Sequence, residues 1–155
     1  MRPAIKLLAA CLFVFPGVCA AQPINLTGNW HLNVEKSKWG NVTKPHSVVL
    51  VIDHKEPVLQ YQGKVTYSNE DSRDFGYSGA IDGKPYPMDR SFGTGMITVH
   101  RVDGETLESE FRSEDGRYVE TARTSVSRDG NTLTRRLRLK APESTQSWTE
   151  VYEKR

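Results

Sequence analysis

Four Asp-Gly pairs, Asp82-Gly83, Asp103-Gly104, Asp115-Gly116 and Asp129-Gly130, cut much of this 155-residue chain into short segments. Asp and Gly both tolerate the positive φ that tight hairpin turns require, so each pair predicts a reversal of the chain. Alternation supports the same reading in the segments before the first pair. Leu59, Tyr61, Val65 and Tyr67 fall on one face against Gln60, Gln62, Lys64 and Thr66, and Phe75, Tyr77 and Ile81 repeat the pattern. A side-chain period of two marks a half-buried strand. Further strands are predicted over 29–33, 47–53, 96–102, 106–112, 118–127, 132–140 and 146–153, with a single helical turn near 34–39. The total, about nine or ten short antiparallel strands, predicts an all-β domain. Such a sheet must curl or close, because flat open edges invite aggregation. An antiparallel up-and-down β-barrel is the simplest solution. A two-sheet β-sandwich is the alternative, which hairpin signals do not separate from it. The stretch 83–95 is read as the longest irregular segment and a candidate loop over one barrel mouth.

Residues 1–21 differ from the rest. Arg2 and Lys6 give a positive start, an apolar run follows from Leu7 to Phe15, and Ala20-Ala21 precede Gln22. This is the pattern of a secretory signal peptide, with cleavage expected after Ala20 or Ala21. The expected domain organisation is therefore a leader over 1–21 and one β-barrel domain over 22–155. Its localisation is expected to be periplasmic or secreted, without a transmembrane segment in the mature protein and without a lipid anchor at Cys11. Both cysteines, Cys11 and Cys19, lie in the leader, so no disulfide is expected in the domain. Removing Arg2 and Lys6 from the 21 basic residues leaves them equal in number to the 19 acidic ones. A neutral domain lacks the basic footprint of nucleic-acid binding.

Leu26-Thr27-Gly28-Asn29-Trp30 near the start and Val151-Tyr152-Glu153-Lys154 near the end together resemble the calycin pattern. In lipocalins and fatty-acid-binding proteins a Gly-x-Trp on the first strand is covered by a basic residue from a late strand, at the closed end of the barrel. The resemblance thus implies structural roles for Gly28 and Trp30. A second likeness runs through 28–33, 35–40, 82–87, 126–130 and 152–154, and is similar to a family of small secreted bacterial lipocalin-like proteins with little assigned function. Where intracellular fatty-acid binders carry Arg-x-Tyr on the last strand to hold a carboxylate, this chain has Glu150-Val151-Tyr152. The resemblance therefore implies a lipocalin-like barrel without that anion clamp.

Within the segment 132–140, Leu133, Arg135, Leu137 and Leu139 share one parity, so leucines facing inward carry Arg135 inward with them. An unpaired buried charge is costly, which gives Arg135 a structural reading, stacking on Trp30 or pairing with Glu150, beside a functional one as a lumen cation. Arg136, Arg138 and Lys140 line the opposite face as a basic stripe, read as solvated. Glu150 and Tyr152 share a face with Trp148, either lining a cavity or facing water with Val151 turned in. The candidate ligand-binding residues are Tyr61, Tyr67, Phe75, Tyr77, Arg135, Glu150 and Tyr152, with Gly63, Gly79 and Ser109 as small inward residues that leave space. The four histidines share no metal-ligand spacing, and neither a Gly-x-Ser-x-Gly elbow nor a phosphate loop is present. No catalytic residue, metal or cofactor is expected. The leading expectation is a non-enzymatic barrel for a small lipophilic or amphipathic ligand. The alternative is an envelope interaction module with a filled core and an unknown partner protein.

Overall fold

The computed structural model describes residues 23–69, 71–90 and 93–155; the predicted export signal over 1–21 lies outside them. Ten strands follow in order: β1 (Gly28–Leu32), β2 (Ser47–Lys55), β3 (Val58–Thr66), β4 (Ser72–Ala80), β5 (Pro85–Arg90), β6 (Gly93–Asp103), β7 (Thr106–Ser113), β8 (Val119–Val126), β9 (Thr132–Lys140) and β10 (Thr145–Lys154). They form one antiparallel sheet in the order β4-β3-β2-β1-β10-β9-β8-β7-β6-β5. A single continuous sheet excludes the sandwich. It curls because β1 pairs on both sides, with Trp30 opposite Leu50 of β2 and opposite Lys154 of β10.

The Asp-Gly turns share one construction. In each, the Asp carboxylate accepts the backbone N–H two residues on: Lys84 at 3.0 Å, Glu105 at 2.8 Å, Arg117 at 3.0 Å and Asn131 at 3.1 Å. This is the Asx-turn preference that makes Asp a turn residue.

The stretch 83–95 is not a loop. Most of it is β5, with Pro85 opposite Thr98 and Pro87 opposite Met96. Prolines two apart withhold their N–H groups along one edge of a strand, which only an edge strand tolerates. β5 is such a strand: no ladder joins it to β4, so the barrel is nearly rather than fully closed. Side chains bridge the gap instead. Tyr77 of β4 meets Tyr86 of β5 edge-on, with ring centroids 6.2 Å apart.

The core fills one end of the barrel. Leu26, Ile52, Leu59, Ile97, Leu107 and Leu133 are all buried there, and Trp30 is completely so. The indole Nε1 donates to the Leu26 carbonyl at 2.8 Å, and the Lys154 ammonium sits 5.3 Å from the ring centroid. The cation over the tryptophan is therefore Lys154, not Arg135. Gly28 makes that possible, because a Cβ there would stand 2.3 Å from Lys154 Cε, and its φ of 150° is one that side-chain-bearing residues rarely adopt. The segment before β1 plugs this end. Ile24 N–H donates to Gly104 O, and Leu26 N–H donates to Nδ1 of the buried His54. Among the described residues no helix is long and apolar enough to cross a membrane.

Candidate functional site

The other half of the barrel holds a cavity of about 520 Å³. Its wall is contributed by the inner-facing positions of β9 and β10, by Val65 and Phe75 of β3 and β4, and by Trp39, Val42 and Pro45 of the connection between β1 and β2. That connection is held against β10. Lys38 and Thr149 exchange both backbone hydrogen bonds at 2.8 Å, and Val151 N–H donates to Ser37 Oγ. Val151 therefore faces outward beneath the connection, and Trp148, Glu150 and Tyr152 turn in.

Three donors converge on the Glu150 carboxylate. Trp148 Nε1 donates to Oε1 at 2.9 Å, while Tyr152 Oη at 2.9 Å and an Arg135 N–H at 3.2 Å both donate to Oε2. The Arg135 and Glu150 side chains are only 14% and 13% exposed. Burial, the largest single influence, works against the Arg135 charge, but Glu150 together with Tyr152, Tyr61 and Glu120 outweighs it and raises the guanidinium pKa. Burial, with Glu150 second, pushes the Tyr152 hydroxyl well above its ordinary value, so it stays a donor. A second pair stands nearby: Arg90 of β5 donates to Glu120 of β8 at 2.6 Å, and its guanidinium lies 5.9 Å from the Phe111 ring centroid. The two buried cations of the cavity, Arg135 and Arg90, are thus each paired with a carboxylate, while Arg73, Asp74 and Asp89 line it from exposed positions.

The seven candidate residues divide between the two halves. Tyr67, Phe75, Arg135, Glu150 and Tyr152 line the cavity. Tyr61 and Tyr77 lie deeper, their ring centroids 5.7 Å apart, and Tyr77 is nearly inaccessible. Burial first, then Tyr86 and Tyr61, raises the Tyr77 hydroxyl to about 12, and it donates to Ala80 O at 3.2 Å. The expected space beside the small residues is largely taken. A Cβ on Gly63 would stand 2.3 Å from Phe75 Cζ, and one on Gly79 would stand 2.4 Å from Tyr77 Oη. Phe75 of the neighbouring strand folds over Gly63 and Tyr77 of its own strand over Gly79, and the room lies instead toward the mouth. Next to Tyr61 the lumen narrows to about 60 Å³.

Arg90, Glu120, Trp148 and Trp39 were not among the candidates. Arg90 escapes notice when β5 is read as a loop. Glu120 is the inner-parity residue between Tyr118 and Ala122, a signal available in the segment 118–127. The basic stripe of Arg136 and Arg138 faces a shallow outer trough of about 750 Å³. Its far side is occupied by Glu108, which pairs with Arg123 at 3.1 Å, so it is a solvated charged surface. Among the described residues no group of His, Cys, Asp and Glu is arranged to hold a metal.

A ten-stranded, nearly closed antiparallel barrel with one plugged end and one hollow end is a calycin-type barrel. It is similar to a Schistosoma mansoni fatty acid binding protein in complex with arachidonic acid, at 10% identity over 84% of this chain and 96% of that one, with a TM-score of 0.59. It is likewise similar to the zebrafish ileal bile acid-binding protein complexed with cholic acid, at 15% identity over 83% of this chain and 98% of that one, with a TM-score of 0.58. At such identities the likeness is one of fold. No family model matches the chain, and no curated protein matches its sequence.

Proposed function

We propose that this chain is an exported, non-enzymatic carrier that holds one small amphipathic molecule in the hollow half of its barrel. The observation that carries the reading is the 520 Å³ cavity walled by Phe75, Leu137, Leu139 and Trp148 around the Glu150 cluster, with the Arg90–Glu120 pair beside it. Sites for small molecules typically measure roughly 300–1,000 Å³, apolar with a few convergent polar groups. The neighbours of like fold hold arachidonic acid and cholic acid, both lipophilic. The buried ions of the cavity neutralise one another, which suits a binding wall better than a reacting centre. Export, to the periplasm or beyond, rests on the first twenty-one residues and on the resemblance to secreted bacterial lipocalin-like proteins.

Titration with the neutral fluorescent dye Nile red tests this. Leu139 points into the cavity from β9, away from the packed end, so Leu139→Trp fills space that the ligand needs. The variant is expected to stay folded and to bind the dye at least about tenfold more weakly than the wild type. Equal affinity in the two folded proteins would place the dye elsewhere and remove the support for a lumen site.

A further inference from the structure

We propose that the cavity selects an uncharged amphiphile bearing a hydroxyl or amide donor, and rejects carboxylates, because Glu150 fills the anion position itself. The inference rests on the carrier reading and names the chemical class of its ligand.

A cavity that binds an anion keeps positive or N–H and O–H groups free to meet it. Here the groups that would do so, the Arg135 guanidinium, the Tyr152 hydroxyl and the Trp148 indole N–H, all point at the Glu150 carboxylate within 3.2 Å. The other cation buried in this cavity, Arg90, has its charge met by Glu120 at 2.6 Å, although its Nε lacks a hydrogen-bond partner, and Arg73 lines the cavity from an exposed position, away from the Glu150 cluster. An arriving carboxylate would have to displace Glu150 from Arg135 and Tyr152 while standing beside its charge. Like charges sharing one partly buried site cannot both remain ionised without a penalty. The displaced Glu150 would have no replacement cation within the pair network.

The same carboxylate is attractive to a donor. An ionised carboxylate offers about four acceptor positions. Two of the three donors sit on Oε2 and one, Trp148 Nε1, sits on Oε1, so Oε1 retains acceptor capacity. A hydroxyl or amide N–H on the ligand completes the carboxylate and leaves the Arg135 pair intact. Phe75 and Leu139 supply apolar wall for the remainder of the molecule.

Competition against bound Nile red by dodecanol and by dodecanoate, at about pH 8 where the fatty acid is ionised, reads this directly. In the wild type, dodecanol is expected to displace the dye at a concentration at least about tenfold below that of dodecanoate. Dodecanol is the more lipophilic of the two in any apolar pocket, so the decisive comparison is with Glu150→Gln, which keeps the shape and removes the charge. That change frees the Arg135 cation, and the dodecanoate-to-dodecanol affinity ratio is expected to rise by at least about tenfold. An unchanged ratio in a folded Glu150→Gln protein overturns the inference. So does wild-type protein that prefers dodecanoate, a comparison that needs no variant. Displacement by neither compound, with no dye bound, would instead bring down the carrier reading, and this inference with it.

Discussion

Two buried residues hold the closed end, each through a contact that can be removed. Trp30 is completely buried and spends its only donor on Leu26 O. Trp30→Phe leaves that carbonyl unpaired and removes the surface beneath Lys154, and urea unfolding is expected to show a loss of about 2 kcal/mol. His54 is buried, and burial, opposed by Glu56, lowers its pKa. Its Nδ1 accepts from Leu26 N–H, which requires the neutral ring. A histidine depressed in the folded state contributes stability above its unfolded pKa and loses it as pH falls through the folded value. Stability is therefore expected to decline as pH drops below about 6.5, and His54→Asn, which keeps an acceptor but no titrating group, is expected to flatten that part of the profile. A profile identical in the two proteins would assign the decline elsewhere. In the hollow half, Glu120→Ala strands the Arg90 charge at 12% side-chain exposure. It is expected to cost about 3–5 kcal/mol, whereas replacing both partners with Met and Leu recovers most of that. Much of this was readable beforehand. Leucine parity gave Arg135 its inward direction, and the Gly-x-Trp resemblance pointed to Gly28 and Trp30. Which cation meets which partner was not readable, because Lys154 and Arg135 share inner parity on adjacent strands and only the barrel's shear decides between them.

At the scale of the element, hairpin chemistry carried the reading. From β7 onward the strands begin and end within one residue of their expected limits, since Asp-Gly turns and two-residue alternation both act locally, while β6 begins three residues early. β5 was missed for an equally physical reason. Pro85 and Pro87 contradict a strand by propensity, and only the absence of a ladder on one side of β5 permits them. The turns also set an acid limit. Asp82 and Asp103 are lowered chiefly by the backbone N–H groups of Lys84 and Glu105, and Asp115 and Asp129 chiefly by the Ser113 and Ser127 hydroxyls. A depressed carboxylate stabilises the fold above its unfolded pKa, and that stability is lost as pH falls through the folded value. Thermal melting is expected to show a second decline below about pH 4, reduced in Asp129→Asn. A melting temperature as acid-sensitive in that variant as in the wild type would contradict the assignment.

For the whole molecule, closure follows from β1 lying between β2 and β10, and the hollow follows from an uneven distribution of bulk. Large aliphatic side chains crowd the end near Trp30, while the mouth is walled by alternating rings and paired ions. Curling was predictable, since a sheet of ten strands with open edges is a liability. The location of the empty space was not, because it depends on rotamers: Phe75 and Tyr77 fold over Gly63 and Gly79 and close the room those glycines were expected to leave. The same rotamer choices move the usable volume toward Trp148 and Glu150, where the polar end of the proposed ligand would meet a carboxylate.

The hollow half is proposed to carry a molecule. Native mass spectrometry of the protein purified from its own source, without detergent or lipid, tests it most directly. A population heavier than the polypeptide by one small, uncharged, lipophilic compound is expected, released on denaturation and absent from Leu139→Trp. A mass equal to the bare polypeptide in the wild type, together with no uptake of added Nile red, would contradict it.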